Sequence, residues 1–272
     1  MKKLLLASTA LVLSAGVAAA DVSLSGDGWM GVQRDISNNF NLISRARVTF
    51  TLSGETDTGL GFGGSFRADN AGPAARGQGG SVYIEGEFGK LSMGDVDSAA
   101  QATMFNTPHI GVLENNQDSR ITALGSTATA ALYEYSIDGF GVALGVGQLT
   151  TGDQEVSIGA SYTFDGFGVA VGYEYMENSP DHILVSGQAT FEGVTATGFF
   201  GRLDGDDQFG LAVEAGFDEI GVQARAKRDF DGNDHLGLGV TYDLGGGATM
   251  GASANRVTGL GTTADVGVAF SF

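Results

Sequence analysis

The stretch "DGFGVALGV", residues 138–146, joins a tight-turn sequence to an alternating apolar segment, and "DGFGVAVGY", residues 165–173, repeats it 27 residues later. Short glycine-containing turn sequences recur at 192–193, 218–221 and 245–247, so the successive intervals are 27, 27, 26 and 27 residues. Turns of this composition close β-hairpins. Between them, apolar residues alternate with small or polar ones, which predicts antiparallel strands with one apolar face.

The length of the repeat fits a lipid bilayer. A strand that crosses a bilayer needs about 9–11 residues, so two strands, a turn and a short loop fill an interval of about 27 residues. Residues 138–272 then hold ten strands, and six more are predicted before them, at 22–33, 42–53, 60–68, 81–87, 90–96 and 126–137. The sequence therefore predicts an all-β, transmembrane antiparallel β-barrel of about sixteen strands, with short turns on one side.

A soluble β-sandwich is the alternative fold, since its strands alternate as well. Its second face would have to pack in a core of large side chains. Here that face is mostly Gly, Ala, Ser, Thr and charged residues. A polar lumen with an apolar exterior fits this composition better.

The first twenty residues, "MKKLLLASTALVLSAGVAAA", form a separate unit. Two lysines, a short apolar run and a small-residue end are typical of a secretory signal peptide, with cleavage after Ala20. The predicted domains are therefore a signal peptide at 1–20 and a barrel at 21–272. Removing Lys2 and Lys3 from the 14 basic residues leaves 12 against 32 acidic ones, a formal charge of −20. Such acidity excludes nucleic acid as an expected partner.

Aromatic residues are predicted to mark both rims of the barrel, as in the interfacial girdles of membrane barrels. One girdle flanks the short turns: Phe140, Phe164, Phe167, Phe191, Phe217 and Tyr242. The other lies at the opposite strand ends: Tyr173, Tyr175, Phe199, Phe200 and Phe209. The chain ends on an alternating strand whose last residue, Phe272, is typical of the assembly signal of outer-membrane barrels.

Several stretches resemble Gram-negative general-diffusion porins of the alphaproteobacterial, Rhodobacter-like type. They are "DVSLSGDGWMGV" (21–32), "FGKLSMGDVDSA" (88–99), "YEYSIDGFGVALG" (133–145) and the terminal "FSF". The resemblance implies a homotrimer in the cell outer membrane, in contact with lipid and lipopolysaccharide and inserted by the outer-membrane assembly machinery. It also implies passive diffusion of small hydrophilic solutes and ions. A substrate-specific channel, for example for oligosaccharides, is the alternative.

Residues 97–119 interrupt the strand rhythm, and so long a connection favours a functional loop. In the family that it resembles, this loop folds into the barrel and forms the constriction. The acidic candidates for the constriction are Asp95, Asp97, Glu114 and Asp118. The basic candidates are inward-facing by strand alternation: Arg45, Arg47, Arg67, Arg225 and Lys227. Basic wall groups facing an acidic loop would create a transverse field, and the overall acidity favours a mild cation preference. These arginines could instead pair with Glu85 and Glu87 as lumen salt bridges.

Other chemistry has weaker support. The stretch "DFDGND", residues 229–234, resembles the start of a calcium loop through Asp229, Asp231 and Asp234, but it lacks the glutamate at the twelfth loop position. Together with "DGDD" at 204–207, it predicts at most loosely bound Ca²⁺ or Mg²⁺ at external loops, and no other cofactor. The three histidines share no metal-ligand spacing. No G-x-S-x-G motif is present, so we expect no enzyme.

Overall fold

The computed structural model describes residues 20–70, 79–113, 130–147 and 154–272. These residues form sixteen strands and one short helix. The first eight strands are β1 (Asp21–Arg34), β2 (Phe40–Glu55), β3 (Gly61–Asp69), β4 (Ser81–Gly86), β5 (Gly89–Gly94), β6 (Ala130–Ile137), β7 (Phe140–Val146) and β8 (Glu155–Phe164). The other eight are β9 (Phe167–Met176), β10 (His182–Phe191), β11 (Val194–Leu203), β12 (Asp206–Phe217), β13 (Ile220–Arg228), β14 (Asp234–Gly245), β15 (Ala248–Val257) and β16 (Gly261–Ser271). The helix α1 (Ala99–Thr103) lies between β5 and β6.

The strands form one closed barrel, in which each strand pairs antiparallel with its sequence neighbours. β1 closes the barrel against β16, with Met30 opposite Val268 and Gly31 opposite Gly267. Closure leaves no free sheet edge, so every strand's backbone can be hydrogen-bonded within the membrane. The predicted sixteen-stranded all-β barrel is confirmed. The predicted signal peptide lies outside the described residues except for Ala20, and it stays a prediction.

The short turns form as their sequences require. At the β6–β7 turn Asp138 and Gly139 both have positive φ, 49° and 81°, and Asp165 and Gly166 repeat this at 46° and 80°. Two successive positive φ values are the mark of a type I′ turn, whose twist matches that of the strands that it joins. We call the barrel end that carries these turns, from β2–β3 to β14–β15, the short-turn rim.

The outer surface is apolar, as the alternation predicts. In β9, Val169 and Val171 point outward with 60% and 51% of their surface exposed, while the intervening Ala170 is buried inside. All six aromatics predicted for the short-turn rim are exposed on the outer surface. Phe199 is an exception at the other rim, because it is buried within the barrel. Within the described residues, no helix is long and apolar enough to cross a membrane.

Candidate functional site

Residues 95–113, which we call the inserted loop, lie inside the barrel along its inner wall. The backbone N–H of Ala99 donates to Ser157 Oγ of β8 at 2.8 Å, and that of Phe105 donates to Ser186 Oγ of β10 at 2.8 Å. Further along, the N–H of Gly111 donates to Gln223 Oε1 of β13 at 2.8 Å. The inserted loop therefore follows the wall from β8 to β13, and the predicted inward fold is confirmed for these residues.

Inward-facing glycines make room for the inserted loop. A Cβ built on Gly172 of β9 would lie 2.6 Å from the Cβ of Ala100 in α1. At the far end, a Cβ on Gly251 would lie 2.7 Å from Val112 Cγ1, and one on Gly267 would lie 2.8 Å from Leu113 Cδ2. These distances are far below ordinary carbon contacts of about 3.5–4.0 Å. The small residues of the inner face thus serve as a packing surface as well as a wet wall.

A small apolar core joins the inserted loop to the wall. Ala100 and Met104 of the loop pack with Ala170, Leu184 and Phe199, all less than 7% exposed. The prediction that Phe199 belongs to the outer aromatic girdle is therefore wrong. The residue shares its face with the inward Thr197, two positions earlier, and its ring fills the space beneath the loop.

The opposite side of the lumen is open. A cavity of about 1230 Å³ lies between α1 and the inner surfaces of β2–β8, on the side of the short-turn rim. Its carboxylates belong to Glu55, Glu85, Glu87 and Glu134, and its amine to Lys90. Lys90 lies opposite Glu85 and Glu134 in the strand register, with its Nζ 4.5 Å from the centre of the Tyr83 ring. We call this cavity the vestibule. Four carboxylates face one amine in it, so the vestibule carries a net negative charge.

Arg45 and Arg47 face the lumen on β2, as predicted. Arg45 Nη2 lies 2.7 Å from Asp27 Oδ1 of β1, and Arg47 Nε lies 3.3 Å from Asp69 Oδ2 of β3. Arg47 Nη1 also lies 3.9 Å from Asp27 Oδ2. Among the described residues, the two arginines therefore form ion pairs with Asp27 and Asp69 rather than with Glu85 and Glu87. The row Asp27–Arg47–Asp69 runs directly across three strands in register, so much of its charge is compensated locally.

The other basic candidates differ in their access to the pore. Arg67 is exposed on β3, opposite Thr49. Arg225 and Lys227 face inward on β13 but are only 4% and 7% exposed. Ile110 of the inserted loop packs against Gly237, the cross-strand neighbour of Arg225. Of the three, Arg67 therefore has the greatest access to water in the pore.

The acidic candidates divide into described and undescribed residues. Asp95 and Asp97 are exposed at the start of the inserted loop, and Asp95 donates its backbone N–H to Gly80 O at 3.0 Å. Glu114 and Asp118 lie outside the described residues. A carboxylate Oδ2 of Asp95 lies close to Gly79, just before β4. Asp95 therefore lies beside Gly79 and Gly80, at the start of β4.

The calcium-like stretch does not gather its carboxylates around one point. Asp229 Oδ2 lies 2.8 Å from His235 Nε2, and Asp229 also accepts from Asn233. Asp234 instead forms a two-bonded ion pair with Arg228, at 2.7 and 2.9 Å. In the described ranges, no group of three or more His, Cys, Asp or Glu residues could hold a metal ion. In "DGDD", Asp204 and Gly205 form a tight turn with φ values of 50° and 90°.

Strand alternation alone did not single out a buried polar group at the far end of β9 and β10. Glu174 and His182 lie directly opposite each other in register, and both are 0% exposed. Their positions are symmetric about the β9–β10 connection, so counting outward from that connection would have paired them. The ion-pair partners Asp27 and Asp69 could have been found in the same way from the β1–β2 and β2–β3 hairpins.

Phe272 continues the last strand of the barrel. Its N–H donates to Gly26 O at 2.8 Å, and Gly26 N–H donates to Phe272 O at 3.2 Å. Its side chain is 82% exposed, and its ring lies 6.4 Å from that of Phe270. The terminal aromatic side chain is thus accessible from outside the barrel, at the short-turn rim.

Comparison with known proteins agrees with this geometry. The profile of a Gram-negative porin family matches residues 7–272. A porin of Rhodobacter capsulatus is 33% identical over 304 aligned positions, which cover 93% of this chain and 100% of that protein. A porin structure refined at 1.8 Å resolution superposes with a TM-score of 0.81 at 29% identity, over 93% of this chain and 100% of that one. A substituted form of the Rh. blastica porin shares the fold, with a TM-score of 0.76 at 22% identity over 92% of this chain and 100% of that one. The chain belongs to the Gram-negative porin family, whose members are outer-membrane diffusion channels rather than enzymes.

Proposed function

We propose that this protein is a passive, water-filled channel for small hydrophilic solutes and ions, with a mild preference for cations. The observation that carries the proposal is the asymmetric filling of the lumen. The inserted loop is packed against β7–β11 and β13–β16, while a cavity of about 1230 Å³ remains beside β2–β8. Solutes would pass between the inserted loop and the wall formed by β2–β6.

The charge along this path supports the cation preference. Arg45 and Arg47 are compensated by Asp27 and Asp69. Exposed carboxylates remain at Asp95 and Asp97 and in the vestibule, against exposed Arg67 and the amine of Lys90. A lumen lined by one sign of charge concentrates the opposite ions. The proposed constriction residues are therefore Asp95 and Asp97 on the loop and Arg45, Arg47 and Arg67 on the wall.

A reversal potential under a KCl gradient across a planar bilayer tests the preference. We expect a sign that shows cation selectivity, and a smaller value in the variant Glu85→Gln/Glu134→Gln, since two vestibule charges are lost. The isosteric variant Asp95→Asn/Asp97→Asn measures how much the carboxylates of the inserted loop contribute to the cation selectivity. Anion preference in the unmodified protein would overturn this part of the proposal.

The same recordings separate the general channel from an oligosaccharide-specific one. A sugar channel would use a continuous run of lumenal aromatic side chains. The aromatics along the described cavity, Tyr83, Phe105 and Tyr135, lie on three separate segments. We therefore expect no concentration-dependent block of the current by maltose-type oligosaccharides, and such a block would favour the alternative.

We further propose that three copies assemble in the outer membrane, in contact with lipid and lipopolysaccharide, after export by the signal peptide. Family membership supports this proposal. The exposed side chain of Phe272 is proposed as the feature that the assembly machinery recognises. Light scattering of the purified protein in detergent, with the detergent mass subtracted, should give three times the mass of the mature chain; a monomer mass would contradict the trimer. External Ca²⁺ or Mg²⁺ is proposed to bind only as loosely held counterions.

A further inference from the structure

A buried polar chain lies where the inserted loop begins its helix. It consists of Glu174 on β9, His182 on β10 and Gln208 on β12, together with Ser98, which directly precedes α1. The three wall side chains are 0% exposed, and Ser98 is 4% exposed. Burying an acid and an imidazole away from water is costly unless they are paired and hydrogen-bonded. The pore mechanism proposed above makes no use of this chain.

The members of the chain satisfy one another. His182 Nδ1 lies 2.8 Å from Glu174 Oε2, and His182 Nε2 lies 3.3 Å from Gln208 Nε2. The amide nitrogen of Gln208 can only donate, so His182 Nε2 accepts and the imidazole donates to Glu174 through Nδ1–H. The other carboxylate oxygen, Glu174 Oε1, accepts from the hydroxyl of Ser98. The wall pair is thereby connected to the inserted loop through the side chain of Ser98.

Ser98 connects this wall pair to the helix itself. Its Oγ accepts from the backbone N–H of Gln101 at 3.1 Å, so it caps the N-terminus of α1. The same oxygen donates its proton to Glu174. The hydroxyl of Ser98, together with the bond from Ala99 N–H to Ser157 Oγ, therefore fixes the start of α1 against the wall.

The barrel does not depend on this chain for its strand pairing. β9 and β10 are paired in register over eight residue pairs, from His182–Glu174 to Ala189–Phe167. The chain instead connects the barrel to a segment that is not part of the sheet. His182 also meets the ring of Phe230, from the β13–β14 connection, edge-on at 5.3 Å between ring centres.

We propose that Glu174 and His182 are positioning residues for the pore: through Ser98 they hold α1 against the wall and so fix the width of the open path beside β2–β6. The inference rests on the proposed channel function, because it concerns the width of that channel. Without the hydrogen bond from Ser98 to Glu174, the first turn of α1 would leave the wall repeatedly. A channel of one stable width would become one of several widths.

The sharpest test uses two substitutions at Ser98. Ser98→Thr keeps the hydroxyl, so it keeps both the cap and the bond to Glu174. Ser98→Asp keeps a good capping oxygen but places a carboxylate against Glu174. If capping alone matters, both variants conduct as the unmodified protein does. The proposal expects one stable conductance level in Ser98→Thr and loss of that single level, with several sub-levels, in Ser98→Asp.

A second pair of variants changes residues of the barrel wall instead of the inserted loop. Glu174→Gln keeps the shape of the side chain but replaces one of the two oxygens that accept from Ser98 and His182 with an amide group. Glu214→Gln is the matched control, because Glu214 also faces the lumen, on β12 opposite Thr195 and Gln223, and among the described residues it forms no hydrogen bond or ion pair with the inserted loop. We expect sub-levels in Glu174→Gln and one stable level in Glu214→Gln.

Each outcome separates the two proposals. If the unmodified protein does not conduct, the channel function itself fails. If it conducts and Ser98→Asp keeps one stable level, the positioning role is overturned, whatever the folding yield of Glu174→Gln. Sub-levels in Glu214→Gln as well would also overturn it, since general loss of lumen charge would then be the cause.

Discussion

The substitution Gly172→Ala should narrow the pore, because it adds a methyl group between the wall and α1. The new Cβ would lie 2.6 Å from the Cβ of Ala100 and 2.9 Å from its Cα, so a backbone segment has to move rather than the tip of a flexible side chain. Restoring an ordinary carbon contact of about 3.5–4.0 Å requires α1 to shift by roughly 1 Å. The shift is directed away from the wall, into the open path.

Overpacking of this kind costs typically about 1–3 kcal/mol, which the closed barrel should tolerate. We therefore expect folded channels with a lower single-channel conductance and a smaller cut-off for neutral solutes. The matched control is Gly216→Ala, an inward-facing strand glycine whose added Cβ would have nothing within 4 Å. Equal conductance and equal cut-off in the two variants would refute the packing of α1 on Gly172 as the factor that sets the width.

Three further perturbations test the charge, the outer loop and the outer surface. Arg47→Ala should raise the ratio of cation to anion permeability, because two lumen carboxylates lose a shared partner; an unchanged reversal potential would count against this ion pair. Burial raises the pKa of Asp229, but hydrogen bonds from His235 and Asn233 outweigh it and hold that pKa below its ordinary range. The stabilisation of loop 229–233 should thus be complete above the ordinary carboxyl pKa of about 4 and be lost as the pH falls through the lower folded value. Hydrogen-exchange protection factors in this loop, corrected for the intrinsic exchange rate at each pH, measure it, and equal protection factors at neutral and strongly acidic pH would contradict the assignment. Val171→Arg on the outer surface should lower the free energy of unfolding by about 2–4 kcal/mol in urea titrations with lipid, whereas no loss would show that this position does not face the bilayer.

The barrel could be predicted from the sequence because its determinants are local. A turn such as Asp138-Gly139 is recognisable from two residues, and its positive φ values confirm it. Strand alternation has a period of two, so one exposed valine assigns the face of every neighbour in the strand. The strand count then followed from a nearly constant interval, and the structure changes the predicted strand bounds by few residues.

The inner face could not be interpreted in the same way. Alternation shows that Gly172 and Gly251 point inward, but not whether water or another part of the chain lies against them. That depends on residues such as Ala100 and Val112, which are far away in sequence. The sequence alone therefore predicts inward glycines that face water. The inward direction of Phe199 could have been predicted, since the residue shares its face with Thr197, but its packing against Ala100 and Met104 could not. Contacts of the inserted loop are long-range, and no local pattern encodes them.

Charge pairing lies between these two cases. The inward direction of Arg45 and Arg47 followed from alternation, and the structure places both in the lumen. Their partners required the strand register, which counting outward from each hairpin would have given. The same counting places Glu174 opposite His182. Counting outward from a predicted hairpin therefore predicts which side chains lie opposite each other, in addition to the face on which each of them lies.

The most direct test of the proposed channel is single-channel recording of the purified protein in planar bilayers, with a series of neutral solutes of increasing size. A water-filled path beside β2–β6 predicts large, stable steps of current. Small solutes should enter the path and lower the conductance, and solutes above one size should have no effect. Absence of current steps, or steps that no neutral solute reduces, would contradict a water-filled path between the inserted loop and the wall.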